Sequence, residues 1–236
     1  MIEAGLEFGG ELDLVMTAFA TLPPPLRPTH FSHEESIGSP SDRIDDQKRL
    51  AAFVAKSKSG FFLLGPALTY SMRIAAGKPM VCDCFLDLEP DLAKQFLSHF
   101  EPTRPLFGFA CAPEEREHRN RVTIRQGANS IQSWVGRDIE KYIPGFYWLT
   151  LLPEVLAVKH GVPLPAVEYV AREHIELSTG QHLFRFYDRP EDWKATSAVA
   201  ALCASLPGVF NVEKLKPRLA AAKNFLELNT MLNAWK

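Results

Sequence analysis

Apolar residues recur along this chain in two rhythms, and the switches between them mark out the expected elements. Leu12, Val15, Met16, Phe19 and Leu22 stand three and four residues apart, which predicts a helix over residues 11–22 with one buried face. Pro23, Pro24 and Pro25 end it. Residues 26–41, rich in Pro, His, Ser and Gly, read as surface. Ile44, Leu50, Phe53 and Val54 restore the helical rhythm over residues 42–57, with acids in the first turn and lysines in the last, as the helix dipole favours. Gly60 closes that helix.

Three strand-like runs follow, at residues 61–64, 68–74 and 80–88. They are separated by Gly65-Pro66 and by Ala76-Gly77-Lys78-Pro79, so an antiparallel meander is expected. Residues 90–100 place Leu92, Phe96, Leu97 and Phe100 on one helical face, and residues 106–111 form a further apolar strand. The most apolar part of the chain, residues 136–161, reads as core, with Tyr142, Ile143, Phe146, Tyr147, Trp148, Leu149, Leu151 and Leu152 leading to Leu156 and Val158. A strand over 181–187 and helices over 190–206 and from 212 to the C-terminus complete the reading. With no internal repeat or linker, the pattern predicts one α+β domain over residues 1–236, an antiparallel sheet with packed helices.

Composition narrows the classes. A chain of 236 residues buries roughly 70% of the surface its unfolded form exposes, enough for a core without staples. Its 46% hydrophobic and 23% charged residues are globular values. A formal charge of −2 gives no broad positive field, so nucleic acid is not expected as a direct ligand. No run approaches the roughly 18 to 20 apolar residues of a membrane span. The first residues are acidic where a secretory signal is basic, which predicts a cytoplasmic protein. Cys82, Cys84, Cys111 and Cys203 are therefore expected as thiols. Cys82 and Cys84 alternate onto one strand face and lack the two-residue spacer of zinc pairs, which favours packing over metal or redox chemistry.

Candidate chemistry is sparse. His30 and His33, followed by Glu34 and Glu35, resemble a metal cluster only superficially, because on an extended segment the two histidines point to opposite faces. No Gly-x-Ser-x-Gly elbow, Ser-x-x-Lys pair or Gly-x-Gly-x-x-Gly loop occurs, and Ser71 sits in an alternating strand pattern. No catalytic, cofactor-binding or metal-binding residue is assigned, and the chain is not expected to be an enzyme. The alternative is a hydrolase whose carboxylates converge from distant positions. The mixed-sign run 114–121 reads as a solvated face. The aromatic stretch 142–148 lacks the interleaved Arg or Lys of a base-stacking platform and reads as core, with Tyr147 and Trp148 needing internal partners for their O–H and N–H.

The run Val135-Gly136-Arg137-Asp138-Ile139-Glu140-Lys141-Tyr142-Ile143-Pro144-Gly145-Phe146-Tyr147-Trp148-Leu149, with Leu183-Phe184-Arg185-Phe186-Tyr187-Asp188, resembles the immunity protein 52 family of bacterial polymorphic toxin systems. Related type VI immunity families share a Pro-Gly-aromatic core segment. The resemblance implies stoichiometric binding of a cognate protein toxin, of a restriction-endonuclease-like nuclease class delivered by type VI secretion, without cofactor or chemistry. A nuclease inhibitor often meets a basic groove with carboxylates. The densest acidic candidates for that contact are Glu34, Glu35, Asp42, Asp45 and Asp46, which otherwise read as a solvated loop followed by acids at a helix start.

Overall fold

The computed structural model describes all residues except 11, 76, 77, 87–89, 127, 128, 223 and 236. Its elements are β1 (Ile2–Phe8), α1 (Leu12–Thr21), β2 (His30–Ser32), α2 (Gln47–Lys56), β3 (Gly60–Leu64), β4 (Thr69–Arg73), β5 (Met80–Leu86) and α3 (Pro90–His99), followed by β6 (Phe107–Cys111), α4 (Pro113–Asn120), β7 (Arg121–Gln126) and β8 (Asn129–Trp134). Then come β9 (Leu149–Pro153), α5 (Glu154–Lys159), α6 (Leu164–Val170), β10 (Glu173–Glu176), β11 (Gln181–Arg185), α7 (Ser197–Ser205), α8 (Val212–Ala220) and α9 (Phe225–Ala234). Nine strands form one sheet in the order β10-β11-β9-β6-β1-β5-β4-β3-β2, while β7 and β8 form a separate hairpin. The fold class is α+β with a mostly antiparallel sheet, as the rhythm predicts. The chain divides into two compact units, residues 1–110, 149–153 and 175–183 in the first and residues 111–148, 154–174 and 184–236 in the second.

In the first unit the expected meander is present, β3 pairing with β4 and β4 with β5. β5 then pairs with β1, setting Cys82 opposite Leu6 and Cys84 opposite Ala4. Both thiols are buried on one face, as their alternation predicts. β1 itself is a strand the periodicity does not announce. It is buried at nearly every position because it lies between β5 and β6, and a strand covered on both faces shows no alternation. Gly5 in β1 permits this, since a Cβ there would stand 2.4 Å from the Phe109 ring.

Phe19 of α1 meets Tyr70 of β4 at 5.1 Å and Phe100 at 4.7 Å, and Phe96 of α3 stacks on Tyr70 at 5.7 Å. Each such ring contributes about 1.5–3 kcal/mol when buried, so this aromatic set seats both helices. Asp87 and Leu88 at the end of the third expected strand lie outside the described residues, as do Glu11 and the turn residues Ala76 and Gly77.

In the second unit the outer turns of the chain close over an apolar cluster. Val122 of β7, Val135, Phe210, Val212, Leu215 and Leu219 of α8, and Leu228 and Leu232 of α9 form it, with Ile124 and Ile131 of the hairpin packed against it. Gly136 N–H and the Tyr142 hydroxyl both donate to the Trp235 carbonyl, at 2.7 and 3.0 Å, so the end of α9 is held.

Several expectations need correction here. The mixed-sign run 114–121 is not a solvated face: it forms α4, and Glu115, Arg116 and Asn120 are buried. Val158, read as core, is 72% exposed on α5 beside Val155 at 75%. The helix expected from residue 42 begins only at Gln47, so its acids precede the first turn. The hairpin β7–β8 has no counterpart in the periodicity.

Candidate functional site

The acidic segment follows β2, the last strand of the sheet order. Phe31 N–H donates to the Asp42 carbonyl at 2.9 Å and Ile44 N–H to the Thr29 carbonyl at 3.0 Å, with an antiparallel bridge between His30 and Arg43. The returning chain thereby pairs with an edge that would otherwise offer unpaired backbone groups. Ile44 is buried, and Asp46 caps α2 by accepting from Arg49 N–H at 3.0 Å.

These contacts sort the five acidic residues. Asp42 accepts from the Arg49 guanidinium at 2.8 Å, and Asp45 pairs with Arg43 at 3.0 Å. The hydrogen bond from Arg43 holds the Asp45 carboxyl below its usual value. Asp42, Asp45 and Asp46 thus shape the loop and the helix start. Glu34 and Glu35 are exposed, and their carboxylates have no hydrogen-bond or ion-pair partner among the described residues. His30 bonds Thr29 at 2.9 Å and His33 packs on Phe53 at 4.3 Å, so the two rings have separate occupations.

The strongest polar constellation lies elsewhere, on the inner face of α4. Pro113 begins the helix, where its missing N–H costs nothing. Glu115 and Arg119, one turn apart, then point inward. Glu115 Oε1 accepts from Arg119 Nε at 3.0 Å, Arg119 Nη2 at 2.9 Å and the Tyr187 hydroxyl at 3.0 Å, while Oε2 accepts from Trp148 N–H at 3.3 Å. Trp148 Nε1 donates to the Tyr187 carbonyl at 3.1 Å, and Phe186 N–H to the Trp148 carbonyl at 2.9 Å.

Asn120 extends the set. Its Nδ2 donates to the carbonyls of Val135, Gly136 and Pro144, at 3.1 to 3.3 Å, and its Oδ1 accepts from the Tyr147 hydroxyl at 2.5 Å. The internal partners expected for Tyr147 and Trp148 are therefore found.

Burial sets the electrostatics. It raises the Glu115 carboxyl above its usual value, with Arg119, Tyr187 and the Trp148 amide only partly offsetting it. Burial alone would lower Arg119, but Glu115, Tyr187 and Cys203 together hold its guanidinium above the ordinary value. Each group spends its hydrogen bonds on its neighbours, and Glu115 is 0% exposed. Such a set holds backbone segments together.

No known protein family, curated protein or solved structure matches the chain.

Periodicity could not have found α4, because its inner face is polar. The usable signal was the Glu-x-x-x-Arg step behind Pro113 and an apolar strand, which fixes a helix but leaves its facing open. An open depression of about 420 Å³ in the first unit is lined by Phe8, Leu12, Ile74, Lys78, Pro79 and Met80 with two glycines. Lys78 is its one charged lining residue among those described. Among the described residues no helix is long and apolar enough to cross a membrane.

Proposed function

We propose that this chain is a cytoplasmic immunity protein that neutralises a cognate toxin, a nuclease-type effector of type VI secretion, by stoichiometric protein–protein binding. The observation that carries the reading is the joining of Trp148 to Tyr187 and Phe186. The two separate segments on which the family resemblance rests are tied by those hydrogen bonds into one folded unit, which supports the reading. The buried polar set around Glu115 supports binding over catalysis, since that carboxylate is 0% exposed and spends its hydrogen bonds on Arg119, Tyr187 and the Trp148 amide. Glu34 and Glu35 supply exposed carboxylates whose charge is not spent within the described chain.

Coexpression with the products of the genes that flank its own, followed by copurification, tests the proposal. A 1:1 complex of nanomolar or tighter affinity is expected, because a small free fraction of a nuclease is lethal. Replacing Glu34 and Glu35, the two left unengaged among the described residues, with glutamine is expected to slow association and flatten its salt dependence. Absence of a complex, together with turnover of a substrate that one carboxylate replacement abolishes, would instead establish the hydrolase.

A further inference from the structure

β1 leaves the sheet and β5 enters it at the same level, because Phe8 is the register partner of Met80. Both side chains are buried, and they are the most buried of the residues lining the depression of about 420 Å³ in the first unit. Ile74, just beyond β4, and Leu12, at the start of α1, are half-buried and line it with Pro79. Ile74 is held by its N–H, which donates to the Ser59 carbonyl at 3.1 Å.

Gly9 and Gly10 complete the lining without side chains. A Cβ at Gly10 would find nothing nearer than the Thr103 carbonyl oxygen at 3.9 Å, so packing does not demand a glycine there and its bareness leaves space open. Lys78 is the one charged lining residue among those described. It is exposed, and its ammonium has no hydrogen-bond or ion-pair partner among the described residues. Its backbone N–H donates to the Ala75 carbonyl at 3.1 Å, in the turn that leads into β5.

We infer that this depression is a binding site for a small aliphatic monocarboxylate, its chain laid on Phe8, Leu12, Ile74 and Met80 and its carboxylate against the Lys78 ammonium. The volume lies within the range of about 300–1,000 Å³ that small-molecule sites occupy. Such sites are mostly apolar, with a few polar groups that fix orientation. Here five apolar side chains stand with one ammonium.

The charge narrows the class further. A lysine is a compact point charge without the fork of a guanidinium, so a lone one suits a single anionic headgroup and not a run of phosphates. A nucleobase would find no stacking surface, since Phe8, the one aromatic lining residue, is 1% exposed. The inference stands apart from the protein partner proposed above, because a ligand held here needs no second protein.

The test is calorimetric titration of the full chain with hexanoate, octanoate and decanoate below their micelle concentrations, with octanol as the uncharged match. One saturable site per chain is expected, with affinity rising about twofold or more for each added methylene, because a chain lying in an open depression is partly buried. Octanoate is expected to bind about threefold or more tighter than octanol, and added salt is expected to narrow that preference.

Lys78→Gln is expected to abolish the preference while keeping the affinity for octanol. Lys48→Gln, at an exposed position on α2, is expected to change neither. Ile74→Asp is expected to weaken octanoate about tenfold or more, since it sets a carboxylate where the aliphatic chain lies. Equal affinity for octanoate and octanol in the wild-type chain, a preference kept by Lys78→Gln, or no saturable binding of either would overturn the proposal. Should Ile74→Asp unfold, Lys78→Gln decides alone, because its position is exposed.

Discussion

Arg119 reaches back one turn of α4 to Glu115 at 2.9 Å, with side chains 12% and 0% exposed. A buried pair of this kind strands one charge when the other is removed, which usually costs about 3–5 kcal/mol. Arg119→Met is therefore expected to lower stability by that order, whereas replacing both residues, as Glu115→Gln/Arg119→Met, is expected to cost less than the sum of the single changes. Urea denaturation of the three variants measures this. Strict additivity would show that the two charges act independently.

Trp148 ties the backbone of two segments as well as filling space. Trp148→Ala is expected to cost about 3–5 kcal/mol, the scale for emptying a large aromatic site. Trp148→Phe keeps most of the ring but leaves the buried Tyr187 carbonyl without its donor, for about 1–3 kcal/mol. Thermal midpoints order the three proteins. A midpoint unchanged in Trp148→Ala would place the ring outside the core.

Gly136 has φ +70°, and a Cβ there would lie 2.1 Å from the Phe210 ring. Gly136→Ala therefore combines left-handed strain, roughly 1–2 kcal/mol, with overpacking of about 1–3 kcal/mol. Exchange protection of the Gly136 amide, bonded to the Trp235 carbonyl, is expected to fall with it. Unaltered protection in the alanine variant would mean that Phe210 moves aside freely.

His118 packs on Trp193 at 5.0 Å. Burial, then Arg119 and Lys216, hold it below its usual value, with Glu213 opposing and Lys194 assisting. The folded state prefers the neutral ring, so its contribution to stability is complete above about pH 6.5 and is lost as the pH falls through the lower folded value. Proton NMR is expected to place the midpoint below about 6.5. His118→Gln is expected to flatten the loss of stability between about pH 7 and about pH 5. A midpoint at or above the ordinary value would refute this.

Cys82, Cys84, Cys111 and Cys203 are buried, and burial raises the Cys82, Cys84 and Cys203 thiols above their usual value. Slow reaction with a thiol reagent is expected in the native protein and reaction of all four on denaturation without reductant. Recovery of only half would reveal a disulfide.

By itself the sequence determined the elements whose burial is one-sided. α1, α3 and the meander β3–β5 follow from apolar spacing, since a helix or strand covered on one face must alternate with its period. The same logic made Phe146, Tyr147 and Trp148 legible as core, and required internal hydrogen-bond partners for Tyr147 and Trp148 without naming them. It could place Glu34, Glu35, Asp42, Asp45 and Asp46 on the surface, but could not tell that Arg43, Arg49 and the start of α2 engage three of them. Only the tertiary structure decided the facing of α4, because Glu115, Arg119 and Asn120 are polar residues that burial tolerates only when distant Trp148, Tyr187 and Pro144 complete their hydrogen bonds. The depression that brings Lys78 beside Phe8 and Leu12 was hidden for a related reason. Local rhythm reports how a residue meets water, while a polar cluster or a cavity depends on which remote segments arrive beside it.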